Sequence, residues 1–305
     1  MVDTNTDVDL EREYSPSLHT KRFQDSAKPN EEVLKHFVNV SQEATFLARR
    51  LYKTHLDVRY GGEADNQLLD IYYKEEEYGT PILVFIHGGY WQELDRSSAG
   101  PIVHTFVQLN YRVLLVDYDL CPKVTLQQLT QQISNFYKWL QRYARDTRAT
   151  KISICGHSAG AHLALQMFDN AFAQPQNRLD LIDHVFLISG LYDLRQLWFL
   201  NSCNPNNNLC LDDDRAAQLS PFCCAYSEEL LEKYREQNIH LHLIVAENDS
   251  NAFKEQSQRY AHKLIKLNMN VNYRVFKAYD HFDIIEECSN MSSAISCYMQ
   301  NAIKI

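Results

Sequence analysis

A Gly-x-Ser-x-Gly segment between a strand-like and a helix-like stretch limits the folds open to this chain. An apolar β-like run ends at Cys155, and the next five residues are Gly156-His157-Ser158-Ala159-Gly160. A helix-compatible run follows from Ala161 through Phe168. Glycines at both ends of the pentapeptide allow the strand and the helix to approach so closely that a Cβ at either position would clash. The turn would push the Ser158 hydroxyl beyond the strand, although an ordinary glycine-rich turn is the alternative.

Strand-like and helix-like stretches alternate through most of the chain, which predicts one doubly wound, mostly parallel α/β sheet with helices on both faces. We therefore treat residues 1–305 as a single domain. The strand-like runs span 54–60, 67–73, 81–86, 112–116, 151–155, 184–188, 240–246 and 272–277. The helix-like stretches are 30–52, with Asn30 as the expected cap, 98–109, 125–143, 161–168, 252–267 and the segment from Phe282 onward. The first two strand-like runs predict an antiparallel hairpin at the sheet edge, joined by a glycine-rich turn.

Two segments stand outside the alternation. Residues 1–29 form a polar arm with one notable island, Tyr14-Ser15-Pro16-Ser17. Residues 194–235 are the least regular part of the chain and follow the end of a predicted strand. A long insertion at such a place is more often a binding segment than a spacer, so we expect it to be lid-like.

Charge and composition exclude several classes of function. The net charge is −9 without a Lys/Arg block, which argues against a nucleic-acid partner. The 45% hydrophobic and 23% charged content is ordinary for a soluble globular protein. The first thirty residues carry no apolar stretch of the signal-peptide kind, and no later stretch is apolar for long enough to span a bilayer. We therefore expect no membrane partner and a cytoplasmic location.

The cysteines point to the same compartment. The chain has eight of them, and no pair of C-x-x-C motifs forms a zinc knuckle. Because no secretion signal is visible, reduced thiols are the better expectation. Cys203, Cys210, Cys223 and Cys224 cluster in the irregular segment, where a metal ion or a disulfide remains an alternative.

A serine nucleophile needs a base and an acid, and the strand-turn-helix around Ser158 resembles the nucleophile elbow of the α/β-hydrolases, in which acid and then histidine follow the serine. Of the histidines after Ser158, only His281 falls in a loop just after the last predicted strand. We predict it as the base. Asp249, after the preceding strand, is the predicted acid, with Glu247 and Asp193 as rivals. Asp280 and Asp283 are expected to face solvent or to cap the final helix.

The oxyanion site is predicted in a second glycine-rich loop. The strand-like run 81–86 leads into His87-Gly88-Gly89-Tyr90-Trp91, similar to the HGGG-type loop of esterases and lipases. The expected donors are the N–H groups of Gly89, Tyr90 and Ala159. His87 would brace the loop, and Gly88 completes the motif. Tyr90 and Trp91 are either packing residues or an aromatic surface for the substrate.

His-Gly-Gly-Tyr-Trp at 87–91 together with Gly-His-Ser-Ala-Gly at 156–160 resembles the kynurenine formamidase (arylformamidase) family, and Glu11 to Ser17 resembles the start of its animal members. The resemblance spans nearly the whole chain. It implies hydrolysis of N-formyl-L-kynurenine to L-kynurenine and formate by a cytosolic enzyme without cofactor, frequently a homodimer. It also implies a triad of Ser158, Asp249 and His281.

Two other functions remain open at this stage. Fold and triad do not fix the leaving group, so a carboxylesterase or lipase-like hydrolase of small acyl esters is the first alternative. A non-catalytic binding protein on the same fold is the second. It is disfavoured because candidates for all three triad members are present.

Overall fold

The computed structural model describes residues 9–62, 66–75, 78–172 and 181–304. Residues 1–8 of the expected arm and 63–65 of the expected turn therefore lie outside the described residues. The strands of the described chain form one eight-stranded sheet in the order β1-β2-β4-β3-β5-β6-β7-β8. Their bounds are β1 Lys53–Arg59, β2 Leu68–Tyr73, β3 Ile82–Ile86, β4 Arg112–Val116, β5 Ile152–His157, β6 Ile182–Ile188, β7 His240–Ala246 and β8 Val271–Phe276.

The sheet is mostly parallel, which confirms the predicted fold class. Strands β3 to β8 run parallel to one another. The expected hairpin is present: β1 pairs with β2, β2 pairs with β4, and both pairings are antiparallel, with β1 at the edge. Because parallel strands end at the same edge, the loops after β3, β5, β7 and β8 meet there.

Apolar side chains of the central strands alternate between the two faces of the sheet, as the period of two in a strand requires. Val84 of β3 packs into one cluster, whereas Leu83 and Phe85 pack into the other. The short helix α1 Leu10–Glu13 lies at the start of the described chain. The helices that cover the first face are α4 Leu126–Asp146, α5 Ala159–Phe172 and α8 Asn251–Lys266. The helices on the second face are α2 Pro29–Leu51, α3 Pro101–Gln108, α9 Asp283–Glu286 and α10 Ala294–Ala302. Helices thus lie on both faces, as predicted.

The start of α2 differs from the prediction. Asn30 is not the N-cap, because the helix begins at Pro29 and Lys28 is the flanking residue. Proline suits the first helical position, where its fixed φ is already helical and its missing N–H has no intrahelical partner to lose. The proline therefore sets the boundary, and the asparagine lies inside the first turn.

The segment after β6 is more ordered and more buried than its sequence suggests. It contains the short helices α6 Asp213–Gln218 and α7 Glu228–Glu236, together with 3₁₀ turns at Leu194–Gln196, Pro205–Asn207 and Pro221–Cys223. Several of its apolar residues belong to the core cluster on the α4 face, namely Leu194, Leu197, Leu200, Leu209, Leu211 and Ala216. Much of the expected lid is therefore packed against the body of the protein.

The C-terminal helix is interrupted rather than continuous from Phe282. After α9 the chain makes a 3₁₀ turn at Glu287–Ser289, and α10 begins only at Ala294. Ser293 caps this second start, because its hydroxyl accepts a hydrogen bond from the N–H of Ser296 at 3.2 Å. Within the described part of the chain, no helix is both long enough and apolar enough to cross a bilayer.

Candidate active site

Ser158 lies at the turn between β5 and α5, with its backbone in the left-handed region at a φ of 54°. Two glycines make this turn sterically possible. A Cβ on Gly160 would lie 2.1 Å from the carbonyl oxygen of Ile86, and one on Gly156 would lie 2.3 Å from the carbonyl oxygen of Gly160. The N–H of Ser158 donates to the carbonyl of Ile188 on the neighbouring strand at 2.9 Å. The strained residue is thus fixed by its surroundings.

His281 follows β8, and its ring meets Asp249 in the loop after β7. Its Nδ1 lies 2.7 Å from Asp249 Oδ1, and both residues are buried. The other carboxylate oxygen accepts hydrogen bonds from Ser189 Oγ at 2.5 Å and from the N–H of Ala246 at 3.1 Å. A carboxylate only accepts hydrogen bonds, so Nδ1 carries the proton and Nε2 of the neutral ring is left as an acceptor.

The two rival acids lie elsewhere. Glu247 is exposed, and its carboxylate accepts a hydrogen bond from the N–H of Ala278. Asp193 forms an ion pair with Arg195 at 2.8 Å. Of the three candidate acids, Asp249 is the one that contacts His281.

The loop after β3 packs directly on the serine. A Cβ on Gly88 would lie 3.0 Å from Ser158 Cβ, so this position accepts only glycine without a local shift. Gly89, Tyr90 and Trp91 all have positive φ, which winds the backbone into a tight turn. Within the described residues, no protein group accepts a hydrogen bond from the N–H of Gly89, Tyr90 or Ala159. These are the three donors expected from the sequence.

His87 is buried under the loop rather than open to a substrate. Its Nε2 contacts Asp117 at 3.2 Å, and its ring stacks on Tyr118 at 4.4 Å between centroids. The Tyr118 hydroxyl also donates to the His87 carbonyl at 2.9 Å. Arg96 completes the cluster by pairing with Asp117 at 2.5 Å. These contacts fit the expected bracing role, and His87 is not among the residues that line the cavity above Ser158.

The two aromatic residues of the motif, Tyr90 and Trp91, lie in different environments in the structure. Trp91 has no exposed surface, and its Nε1 donates to His162 Nδ1 at 3.2 Å. It packs in the core and does not line the cavity, which contradicts the hypothesis of a substrate wall at this position. Tyr90 does line the cavity, and its hydroxyl donates to the carbonyl of Tyr14 at 2.8 Å.

A cavity of about 320 Å³ opens above the serine. It is lined by Tyr14, Ser15, Pro16, Ser17, Leu34, Phe37, Val38, Gly89, Tyr90, Gln92, Glu93, Leu94, His157, Ser158, Ser202, Pro205, His281 and Phe282. Ser158 and His281 share this space, and the lining is largely apolar. The volume suits a small aromatic molecule.

Residues 10–24, which we call the N-terminal strap, supply one wall of the cavity. The sequence suggested only a polar arm with a short island. In the structure that island lies in the wall, and Tyr14 is fully buried. The Glu11 carboxylate accepts hydrogen bonds from the N–H groups of Asn201 and Ser202 at 2.7 and 2.8 Å, which ties the strap to the segment after β6.

The strap also holds the loop that carries His281. Arg22 donates to both oxygens of Asp280 at 2.8 and 3.1 Å, and Thr20 Oγ1 donates to the same carboxylate at 2.5 Å. Asp280 is buried and accepts from the N–H groups of Phe282 and Asp283, so it caps the turn but does not face solvent as an alternative had suggested.

The ionisation of this carboxylate depends on those contacts. Burial acts to raise the pKa of Asp280, but the hydrogen bonds from Arg22 and Thr20 outweigh it and the pKa lies below its ordinary value. Burial, together with the charge on Asp280, raises the pKa of Asp283 to about 7.

His157 is a site residue that the sequence analysis did not single out. Its Nε2 donates to the His281 carbonyl at 2.9 Å, and the two ring centroids are 4.8 Å apart. Burial lowers the pKa of His157 well below its ordinary value, so the ring is neutral. Its place directly before Ser158 was the one signal available in the sequence.

Metal and disulfide alternatives find no support in the described residues. They contain no group of three or more His, Cys, Asp or Glu side chains that could hold a metal ion. All eight cysteines are free thiols, including the four in the segment after β6.

Comparison with known proteins gives a consistent set of relatives. Residues 83–282 match the family model Abhydrolase_3, described as alpha/beta hydrolase fold. The chain is 39% identical to a kynurenine formamidase of Drosophila melanogaster over 96% of both chains. It is 31% identical to a kynurenine formamidase of Danio rerio, covering 92% of this chain and 90% of the relative.

Solved structures with the same fold are more distant in sequence. A Silicibacter sp. protein provisionally described as a thioesterase superposes with a TM-score of 0.75 at 23% identity, over 96% of this chain and 99% of its own. An esterase of Pyrobaculum calidifontis superposes with a TM-score of 0.67 at 16% identity, over 90% and 92% of the two chains. At these identities the likeness extends to the fold alone.

Proposed function

Because the chain belongs to the kynurenine formamidase family of α/β-hydrolase-fold proteins, we propose that it hydrolyses the formamide of N-formyl-L-kynurenine to L-kynurenine and formate. The observation that carries the proposal is the 39% identity to the Drosophila melanogaster enzyme over 96% of both chains. The His281–Asp249 pair and Ser158 at one cavity supply chemistry that suits it.

The first half of the proposed reaction forms a formyl-enzyme. Nε2 of His281 takes the proton of Ser158, and the freed Oγ attacks the formyl carbon. The N–H groups of Gly89, Tyr90 and Ala159 stabilise the negative charge that develops on the carbonyl oxygen, and a donor of this kind contributes about 10²–10³-fold in rate. Asp249 keeps the proton on Nδ1 and stabilises the imidazolium.

The second half releases the two products. The imidazolium of His281 gives its proton to the aniline nitrogen as the C–N bond breaks, and L-kynurenine leaves. A water molecule, deprotonated by the same ring, then adds to the formyl ester of Ser158. Collapse of this intermediate returns the proton to the serine and releases formate.

The proposal extends to location and assembly. We propose a cytoplasmic enzyme that acts as a homodimer and needs no cofactor, as the family resemblance implies. The eight free thiols fit a reducing compartment. The α2 side chains of Phe46, Leu47 and Leu51 are 58%, 46% and 64% exposed and offer an apolar surface for a second subunit. Sedimentation velocity of the purified protein tests the dimer.

The decisive experiment compares substrates. We expect kcat/KM on N-formyl-L-kynurenine to exceed that on short p-nitrophenyl esters, and Ser158→Ala to abolish both activities. A fluorophosphonate probe should label the wild type and not Ser158→Ala. A clear preference for the esters would instead identify a carboxylesterase, and Ser158-independent labelling would remove the proposed nucleophile.

A further inference from the structure

One charged side chain on the cavity wall is left unused by the proposed mechanism. Among the described lining residues, Glu93 is the one Asp, Glu, Lys or Arg. Its carboxylate has no hydrogen-bond or ion-pair partner within the described part of the chain, and Glu93 is an exposed residue of the loop after β3 that lines the cavity. A carboxylate held at a binding cavity without a counterion attracts a cation.

Three other polar side chains on this wall, those of Gln92, Ser15 and Tyr14, already have protein partners. Gln92 donates its amide to the carbonyls of Tyr90 and Cys203 and accepts from Asn208. Ser15 Oγ donates to the Glu11 carbonyl at 2.7 Å. The hydroxyl of Tyr14 contacts Gln196 and Gln256. Binding a ligand through these groups would break existing hydrogen bonds, whereas binding through Glu93 breaks none.

The backbone of Glu93 is fixed close to the reaction centre. Its N–H donates to the Gly89 carbonyl at 2.9 Å. Its own carbonyl oxygen lies 2.2 Å from where a Cβ on Gly89 would be. The carboxylate therefore extends from the same tight turn that carries two of the proposed oxyanion donors. A cation bound there would be held at a set position relative to the scissile bond.

We propose that Glu93 binds the α-ammonium group of the substrate, so that the cavity selects ammonium-bearing aryl formamides over their deaminated counterparts. This inference rests on the proposed function. The proposed substrate carries its ammonium on the side chain ortho to the formamide, a few bonds from the scissile bond. The described lining has no Lys or Arg to compete for Glu93.

The kinetic test crosses one variant with two substrates. Glu93→Gln keeps the shape of the side chain and removes the charge. The second substrate is the deaminated analogue, 4-(2-formamidophenyl)-4-oxobutanoate. In the wild type we expect kcat/KM to be about tenfold lower on the analogue, which corresponds to one charge-assisted hydrogen bond. Glu93→Gln should lose about the same factor on N-formyl-L-kynurenine, mainly through KM, and cause no loss of kcat/KM on the analogue.

The matched control is Glu255→Gln on α8. Glu255 is an exposed glutamate outside this cavity, and its replacement removes the same charge from the molecule. We expect it to behave as the wild type on both substrates. A wild type that does not discriminate, or a Glu93→Gln variant that loses equally on both substrates, would overturn the proposal.

A binding measurement separates this inference from the proposed reaction. Calorimetry with Ser158→Ala and with Ser158→Ala/Glu93→Gln, titrated with L-kynurenine and with its deaminated analogue, needs no turnover. An affinity for L-kynurenine that depends on Glu93 supports the inference even if no formamide is hydrolysed. Hydrolysis of N-formyl-L-kynurenine with equal affinities in the two proteins would leave the function standing and remove the inference.

Discussion

Asp249 illustrates how a single residue depends on several neighbours for its state. One oxygen faces His281, and the other accepts from Ser189 and from the backbone of Ala246. The Ser189 hydroxyl, the Ala246 N–H and the protonated Nδ1 of His281 all donate hydrogen bonds to the Asp249 carboxylate. Only an ionised, acceptor-only side chain satisfies all of them at once.

Asp249→Asn should therefore remove most of the activity. The amide has only one acceptor oxygen. If the N–H₂ group faces His281, it imposes the wrong tautomer on the ring. If the N–H₂ group instead faces the Ser189 hydroxyl and the Ala246 N–H, it opposes two donors. We expect kcat to fall by about 10³–10⁴-fold. The measurement is kcat on N-formyl-L-kynurenine alongside thermal unfolding. Ser189→Ala, which leaves the acceptor for His281 intact, should lose far less, and an Asn variant close to wild type would exclude Asp249 as the acid.

Trp91→Phe distinguishes packing from substrate contact at the motif's last residue. The change keeps an aromatic ring in the core but removes the indole N–H and leaves Nδ1 of His162 without its donor. We expect the free energy of unfolding to fall by about 1–3 kcal/mol while KM stays within about twofold. Urea unfolding and KM are the two readouts. A raised KM with unchanged stability would show that the indole contacts the substrate after all.

Among the elements, the strap shows what local sequence patterns miss. The central strands could be predicted because continuous apolar runs such as 82–86 are buried on both faces. Residues 10–24 have no such run, and their order comes from partners such as Gln256 and Asp280, far away in the sequence. Long-range contacts of this kind produce no periodic pattern of apolar residues in the local sequence, so they could not be predicted from it.

The same distinction applies to the candidate site. The elbow, the loop 87–91 and the histidine after the last strand carry local motifs, so their positions could be predicted. The environment of His157 and the unpaired carboxylate of Glu93 depend on which side chains surround them in space. Trp91 and Tyr90 are adjacent and both aromatic, and only the fold decides that one is buried and the other lines the cavity.

Arg22→Met tests whether the strap positions His281, the proposed base. The variant leaves Asp280 buried without its main counterion, which costs about 3–5 kcal/mol when a partner is removed from a buried pair. The pKa of Asp280 is then expected to rise, because the hydrogen bonds and the charge of Arg22 no longer offset its burial, and the turn around His281 to be held less firmly. We expect a lower kcat whose pH profile is shifted, with partial rescue by Arg22→Lys. An unchanged pH profile in a merely less stable protein would indicate a structural role only.

At the scale of the whole molecule, buried neutral histidines govern the response to acid. Burial lowers the pKa of His162 and of His184 to about 4 and that of His242 to about 3, and it lowers the pKa of His157 well below its ordinary value. Unfolded chains bind these protons near pH 6.5, so the unfolded state takes up more protons than the folded one as pH falls. The stability from the neutral rings is complete above that pH and is lost towards pH 4. Asp283 acts in the opposite direction, because its pKa is raised to about 7 and the folded state therefore binds one proton before the unfolded state does.

The free energy of unfolding should thus decrease on acidification from pH 7.5 to 5, with a slope of about 1.4 kcal/mol per pH unit for each net proton. Urea unfolding at half-unit pH steps measures it. His242→Gln should flatten the curve, whereas His262→Gln, on the exposed side of α8, serves as the control. A wild type equally stable at pH 7.5 and 5 would contradict the prediction.

The bond between Arg22 and Asp280 joins residues 258 positions apart. During synthesis the ribosome must therefore pass residue 280 before this contact can form. The strap thus joins the loop of His281 only after the strands of the sheet have been made, and the folded sheet meets the entropic cost of bringing such distant segments together. A nascent chain that stops before residue 280 would lack both this contact and His281.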